Sequence, residues 1–476
     1  MREVLSPAQE RTLEYYWRGE QIQAISVGTS LPGFCPDILE EIIHPPSGIR
    51  QYGGVHELAE ETTDKYALKI LFISPYLPHP LSGHGGGVYL YDMLRHISRR
   101  HTVSLICFAD AREIKLAPDL DTLPITVRLI PRRKQINKSM NEIVFLILIR
   151  FLQLLRSVFF WQPYYVSKFR HRGMARAIAK ATTEEHFDIV QIEYAQMGQY
   201  AAHVKQGKTV LHLIDVTFRP AYRYYKEAKS IGRKAALYME WCRWMQYEPR
   251  MVHTFDGVTT LTAPDQMLLQ KLTGLQRVEV LPPGVEIPRK ALAASGRDPC
   301  SLVFVGNLAQ TPNDDAAVWL CSEIFPMVLE SFPQTTLKII GRSPSPALRS
   351  IAEKSPQIRI LNFVESLSEY FFQCSVFIAP LRLGGGIKIK ILDALAHGIP
   401  VVTTPVGVEG ISGLNSSNIR VARKGSALAA QIIELLNDPA KAEALGRLGQ
   451  EAVIKHYSWA PIIQRTVEFY QHLLRA

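Results

Sequence analysis

Two series of short apolar runs, with helical patterns between most of them, constrain this chain more than any other feature. The first series is Leu68–Ser74 (LKILFIS), Thr102–Phe108, Ile125–Ile130, Asp188–Glu193, Thr209–Ile214, Gly257–Thr262 and Val278–Leu281. A stretch rich in Gly, Pro and small residues, Gly284–Pro299, reads as a linker. The alternation then restarts with Leu302–Val305, Thr335–Ile340, Ile358–Leu361, Val376–Ile378 and Pro400–Thr403. Continuous apolar runs are what strands covered by helices on both faces require, and their alternation with helices indicates a parallel sheet. The expected fold is therefore α/β, with two tandem Rossmann-like domains and a cleft between them. In such sheets ligands bind at the carboxyl ends of the strands. The expected boundaries are an N-terminal extension over 1–66, a first domain over 67–284, a second over 285–458 and a last helix over 459–476.

The chain has 476 residues, 47% of them hydrophobic and 21% charged. That is globular composition, which excludes a disordered chain, a collagen and a small disulfide scaffold. Cys35, Cys107, Cys242, Cys300, Cys321 and Cys374 lie far apart with no CxxC pair, which argues against a zinc knuckle and fits a reducing compartment. The opening Met-Arg-Glu-Val has no charged-then-apolar leader, so a cytoplasmic location is expected.

Charge is distributed unevenly. The formal net charge is +10, yet residues 1–66 hold 11 acidic and 5 basic side chains. Between Pro131 and Arg176 there are 10 Lys or Arg against one acid, Glu142. Such a block points to an anionic partner. Within it lies Ile143–Phe160, IVFLILIRFLQLLRSVFF, with 14 of 18 residues apolar. As a membrane span it fails: each central Arg costs about 2.5–3.5 kcal/mol, against about 0.3–0.6 gained per Leu, Ile, Phe or Val. Arg150, Gln153, Arg156 and Ser157 fall on one arc of about 120°, so the segment is read as an amphipathic helix. Two uses stay open: covering the chain's own core, or docking on an anionic membrane surface with the help of Arg132, Arg133, Lys134, Lys168 and Arg170. No nucleic-acid-binding motif is present, and no nucleic-acid partner is expected.

The most informative stretch is Pro380–Glu409, PLRLGGGIKIKILDALAHGIPVVTTPVGVE. A strand ends at Pro380, three glycines (Gly384, Gly385, Gly386) allow a sharp turn close to a ligand, and a helix follows from about Ile387 to His397. The free N–H groups of its first turn suit phosphate, and Arg382, Lys388 and Lys390 add full charges. Asp393 and His397 share a face with Lys390, and a carboxylate there suits ribose hydroxyls.

These features together resemble the GT-B glycosyltransferases, particularly the family 4 group and its PLRxGGG subgroup, over roughly Leu68–Ala476. The marks are the first glycine turn Gly85-Gly86-Gly87, the segment Val280–Val285, Val303–Gly306 followed by Pro312–Ala316, Gly384–Asp393 with Gly398–Gly410, and Tyr457-Ser458-Trp459 before the last helix. The resemblance implies a transferase that moves a sugar from a nucleotide-sugar donor to a glycan, lipid-linked or polysaccharide acceptor. It implies retention, no cofactor beyond the nucleotide-sugar co-substrate, and no metal. It returns the last helix to the first domain, while the basic amphipathic segment suggests an acceptor met at the inner face of a membrane. A non-catalytic GT-B scaffold and a sugar-nucleotide epimerase remain the alternatives.

Carried over residue by residue, Asp393 matches the second Glu of the family's EX7E motif, the residue that grips the donor ribose. The first Glu falls on Gly385, so that carboxylate is absent or supplied elsewhere. The Arg and Lys that many relatives place on the first loop of the donor domain fall on Asn307 and Pro312. Arg382, Lys388 and Lys390 are then expected to supply the charge, with Gly384, Gly385, Gly386 and Asn307 shaping the donor site. Glu365 lies where relatives read the base. In the first domain, Gly85, Gly86 and Gly87 form the acceptor-side loop. Asp215 matches the second residue of a His-Asp pair, with Ile214 at the His position and His212 two residues earlier on the same strand face. Asp215 and His212 are therefore the catalytic candidates. Asp119-Leu120-Asp121 spells a metal-binding motif but stands in a polar, Pro-containing loop and is read as chance.

Overall fold

In a computed structural model, residues 67–476 are described apart from 83–84, 133–139, 229, 289–296, 363 and 365. The N-terminal extension, residues 289–296 of the linker and Glu365 lie outside the described residues.

All the expected runs are strands. The first sheet comprises β1 (Lys69–Ser74), β2 (Thr102–Ala109), β3 (Ile125–Pro131), β4 (Ile189–Glu193), β5 (Lys208–Leu213), β6 (Gly257–Thr260) and β7 (Val278–Val280). Its spatial order is 3-2-1-4-5-6-7, and every pair is parallel. The second sheet comprises β8 (Ser301–Val305), β9 (Thr336–Ile340), β10 (Ile358–Leu361), β11 (Val376–Ala379), β12 (Val401–Thr403) and β13 (Arg420–Val421). Its order is 10-9-8-11-12-13, again wholly parallel. Each sheet reverses direction beside its first strand, between β1 and β4 and between β8 and β11. Such switch points open a crevice beyond the strand ends.

The strands are apolar because helices cover them. In β1, Ile70, Leu71, Phe72 and Ile73 are fully buried, and Leu302, Val303 and Phe304 are buried likewise in β8. Tyr89, Leu90, Met93 and Leu94 of the helix Gly85–Ile97 pack on the first sheet. Trp459, Val467, Tyr470 and Leu473 of the last helix, Trp459–Arg475, join that same core. The chain therefore crosses from one sheet's layer to the other after β7 and crosses back at Ser458. The two crossings touch: Val285 N–H donates to the Tyr457 carbonyl at 2.8 Å, and Val285 pairs with Ser458 in a parallel bridge.

The amphipathic segment is a helix, Met140–Phe159. It does not cover the core. Ser157, from its polar arc, is fully buried and donates to the Gln162 carbonyl at 2.6 Å while accepting from Arg243. The apolar side faces outward: Ile147 is 61% exposed, Phe151 and Leu152 54%, Phe159 83%, and Val144, Leu148, Leu155 and Val158 are exposed as well. Among the described side chains of this helix, the apolar ones thus do not serve as core cover.

Candidate active site

The crevice beyond β5 and β11 is lined by Asp215, Val216, Arg219, Pro220, Arg223, Asp265, Gly385, Gly386 and Glu409, around a volume of about 200 Å³. Both sheets contribute to it. On the donor side β11 runs into the glycine loop, where Gly384 and Gly386 have φ of +103° and +67°. A Cβ on Gly386 would lie 2.2 Å from Asp215 Oδ1. Only glycine permits both that backbone and that approach. The first-domain carboxylate thus rests directly on the glycine loop.

The following helix runs from Ile389 to Ala396, two residues later than expected, because Lys388 takes the N-cap position and turns its side chain back. Lys388 is nearly buried, and its Nζ donates to the carbonyls of Gly385 at 2.9 Å and Gly386 at 2.5 Å. This staples the loop. Burial lowers the Lys388 pKa, partly offset by Glu409 and Asp215. Lys390, two residues on, donates to Asn313 Oδ1 at 2.5 Å and stands over the Phe304 ring at 5.2 Å. Burial and the charge of Lys388 bring its pKa down to about 7. Asn313 Nδ2 donates to the Asn307 carbonyl at 3.0 Å, so the loop after β8 is tied to the basic helix start. Asn307 uses its own side chain to accept from Ala309 N–H at 3.2 Å.

Asp215 is pushed up to about 7, by burial first and by the nearby carboxylates Asp265 and Glu409, against Lys388 and Arg219. It can hold or release a proton near neutrality. Asp393 is also raised to about 7, by burial and by Asp92 of the facing helix Gly85–Ile97. Gly85, Gly86 and Gly87 are not a loop but the first turn of the helix Gly85–Ile97, which starts at the same mouth: a Cβ on Gly85 would touch Ile389 at 3.7 Å, and one on Gly86 would collide with the Tyr194 hydroxyl. Gly87 is buried behind them.

Two expected residues are placed elsewhere. His212 is not in the crevice. It is buried in the first core, with Nδ1 2.6 Å from Thr259 Oγ1 and its ring stacked on Tyr89 at 5.4 Å. Burial lowers its pKa to about 3, so the imidazole is neutral. Its side chain follows the strand's alternation into the helix layer, while Asp215 lies beyond the strand end. Arg382 is held by Asp315, at 3.0 Å through Nε and 2.7 Å through the terminal nitrogen, and lies 4.7 Å over Trp319. Its charge is spent on that surface pair.

In their place stand residues the sequence reading passed over. Arg219 and Arg223 lie on the helix Phe218–Glu227, four apart and so on one face. Both grip Glu409, which follows β12. Arg219 reaches Oε1 at 3.0 Å, and Arg223 is bidentate at 2.7 and 3.0 Å. Arg223 also donates to the Gly384 carbonyl, and Arg219 pairs with Asp265 at 3.3 Å. The arginines hold the Glu409 carboxyl below its usual range despite burial. Behind them Glu248, fully buried, accepts from the N–H groups of Thr217 and Phe218 at 3.1 and 3.2 Å and so caps that helix. Among the described residues no group of three or more His, Cys, Asp or Glu side chains could hold a metal ion.

Comparison with known proteins follows this geometry. Residues 299–438 match the family described as Glycosyl transferases group 1. The chain is 25% identical over 235 residues to a glycogen synthase of Mycobacterium tuberculosis, covering 47% of this chain and 56% of that protein. It is 27% identical over 161 residues, 31% of this chain and 41% of the relative, to a GDP-mannose-dependent monoacylated alpha-(1-6)-phosphatidylinositol monomannoside mannosyltransferase of Corynebacterium glutamicum. The chain thus spans about half the length of these curated relatives. The crystal structure of Anabaena HepE in complex with UDP-glucose superposes with a TM-score of 0.59 at 15% identity, over 85% of this chain and all of that one. The segment that carries the glycine loop and its basic helix matches the Glycosyl transferases group 1 family, and the two-sheet chain around it has the GT-B fold.

Proposed function

We propose that the protein is a glycosyltransferase that takes a sugar from a nucleotide-sugar donor and passes it, with retention and without a metal, to a glycan or lipid-linked acceptor. The observation that carries this is the meeting of Gly385 and Gly386, stapled by Lys388, on one side of the crevice with Asp215 on the other. The donor diphosphate would lie at the start of the helix Ile389–Ala396, where unpaired N–H groups and Lys390 oppose the charge that develops on the leaving group. Asp215 faces the position of the transferred sugar and is poised to accept a hydrogen bond from an acceptor hydroxyl. No protein nucleophile is assigned, and the acceptor attacks on the face the diphosphate leaves. The crevice is narrow, with Asp215 resting directly on the glycine loop, so donor entry requires the sheets to part.

The same reading extends to a membrane surface. The outward apolar side of the helix Met140–Phe159, within a segment bearing 10 Lys or Arg against one acid, fits an anionic bilayer. Among the described residues no helix is long and apolar enough to cross a membrane. A lipid-linked acceptor would then be met at its own surface. The related mannosyltransferase, whose acceptor by name is a phosphatidylinositol mannoside, supports this.

A thermal-shift panel with UDP, GDP, ADP and their sugars, without metal, tests the donor site. A ligand at 100 times its Kd adds about 2.7 kcal/mol of stability. One nucleotide family raising the Tm is expected, and no shift with any of them refutes the reading.

A further inference from the structure

We infer that Glu409 is the carboxylate that recognises the transferred sugar, and that it sets donor specificity. The inference rests on the donor-site reading above. Glu409 Oε1 accepts from Arg223 and forms an ion pair with Arg219 at 3.0 Å, and Oε2 accepts one further hydrogen from Arg223. A carboxylate offers about four acceptor sites, so among the described residues acceptor capacity is left over. Glu409 lines the same pocket as Asp215, Gly385 and Gly386. Fixed by two guanidinium groups, the acceptor is ionised and preorganised, as discrimination between hydroxyl configurations requires.

The pocket's charge favours a sugar over a phosphate. Three carboxylates, Asp215, Asp265 and Glu409, line it, and its two arginines are paired with two of them. An anionic group would be repelled there, whereas a neutral polyol finds acceptors. It also finds a donor: Arg219 is 93% buried, yet its Nε has no partner among the described residues. A buried N–H without an acceptor is costly unless a ligand supplies one.

The geometry also provides a rescue. A Cβ at Gly385 would have only ordinary contacts, with Arg223 at 3.6 Å and Pro220 at 3.9 Å. A glutamate at 385 would therefore reach the same guanidinium that now holds Glu409.

The test compares wild type, Glu409→Gln, and Glu409→Gln combined with Gly385→Glu. Calorimetry measures UDP, GDP and ADP alone against UDP-glucose, UDP-galactose, UDP-N-acetylglucosamine, GDP-mannose and ADP-glucose. For the nucleotide that binds wild type, the preferred sugar is expected to tighten binding about tenfold. Glu409→Gln should abolish that increment and leave the Kd of the bare nucleotide within about threefold. The double variant should regain part of the increment. Glu409→Asp keeps the charge for both arginines and withdraws the reach by one methylene; it should lose the increment in the same way and serves if the glutamine variant does not fold. An increment unchanged in these variants overturns the inference. Equal weakening of nucleotide and nucleotide sugar also overturns it, since that is what a purely structural clamp would give. Failure of every nucleotide to bind wild type removes the donor-site reading and the inference with it.

Discussion

Lys390 and Asn313 join the two loops of the donor side: Nζ lies 2.5 Å from Oδ1 while the ammonium stands over the Phe304 ring. Among the described residues this enclosed amine has one neutral hydrogen-bond partner and no carboxylate partner. It is therefore ready for an anion that arrives from outside the protein.

Replacing Lys390 by Ala should weaken binding of the nucleotide by roughly ten- to a hundredfold, the range expected for a hydrogen bond to a charged group. Titration calorimetry with the nucleotide identified in the thermal panel measures this directly. An unchanged Kd would remove Lys390 from the site.

Nucleotide affinity should fall as pH rises above neutrality. The Lys390 pKa is about 7 in the free protein. A bound diphosphate favours the ammonium, so binding takes up a proton once the lysine is neutral. Titrations in two buffers of different ionisation enthalpy should show that uptake at pH 8 and little of it at pH 6. In the ligand-free protein the sign is opposite. The folded pKa lies below the unfolded value, so this group adds stability as pH climbs from about 7 toward the ordinary lysine range.

Gly386→Ala should destabilise the closed arrangement by about 1–3 kcal/mol, since it combines a φ of +67° with a methyl 2.2 Å from Asp215 Oδ1. Adding Asp215→Gly removes the collision and leaves the backbone term, so partial recovery of the Tm is expected. Full recovery, or none, would contradict this account.

Glu193 closes the list of buried acids. It accepts from Gln191 at 2.6 Å, its other oxygen has no partner among the described residues, and burial raises its pKa to about 8. Its folded pKa exceeds the unfolded one, so its contribution to stability is complete at low pH and is lost as pH rises toward 8. Glu193→Gln should therefore melt above wild type at pH 8, with the gap closing toward pH 5. Parallel melting curves across that range would show the group is not buried as described.

Vesicles test the outward helix. Wild type should co-sediment with phosphatidylglycerol-rich vesicles and release as salt is raised, while Leu148→Asp combined with Phe151→Asp should stay in the supernatant with its Tm unchanged. Equal sedimentation of both proteins would assign the surface another role.

The strands were legible because a covered parallel strand leaves an unbroken apolar run, and each sits within a residue or two of its expected place; at β6 and β7 the run outlasts the pairing. β13 was not legible: two partly buried residues, Arg420 and Val421, leave no run. The glycine loop announced itself by composition. What escaped was anything that depends on pairing across the crevice. Arg219 and Arg223 showed only their spacing of four, and Glu409 is 186 residues from Arg223. Periodicity also separated the two sides of the helix Met140–Phe159 without saying which side turns outward. That is fixed by Ser157 and Arg243, which meet only in the folded chain. His212 and Asp215 were both candidates, the former two residues early, and the strand end separates them: His212 is buried in the core while Asp215 lines the crevice.

The return of the last helix to the first sheet has a consequence for synthesis. Residues Trp459, Val467, Tyr470 and Leu473 complete a core whose other members begin at Leu68. As the chain leaves the ribosome, the first domain can gather its seven strands but must keep an apolar groove uncovered until the second domain has been made in full. The domain begun first is therefore finished last, and nascent chains arrested anywhere in the second domain should bind holdase chaperones through that groove.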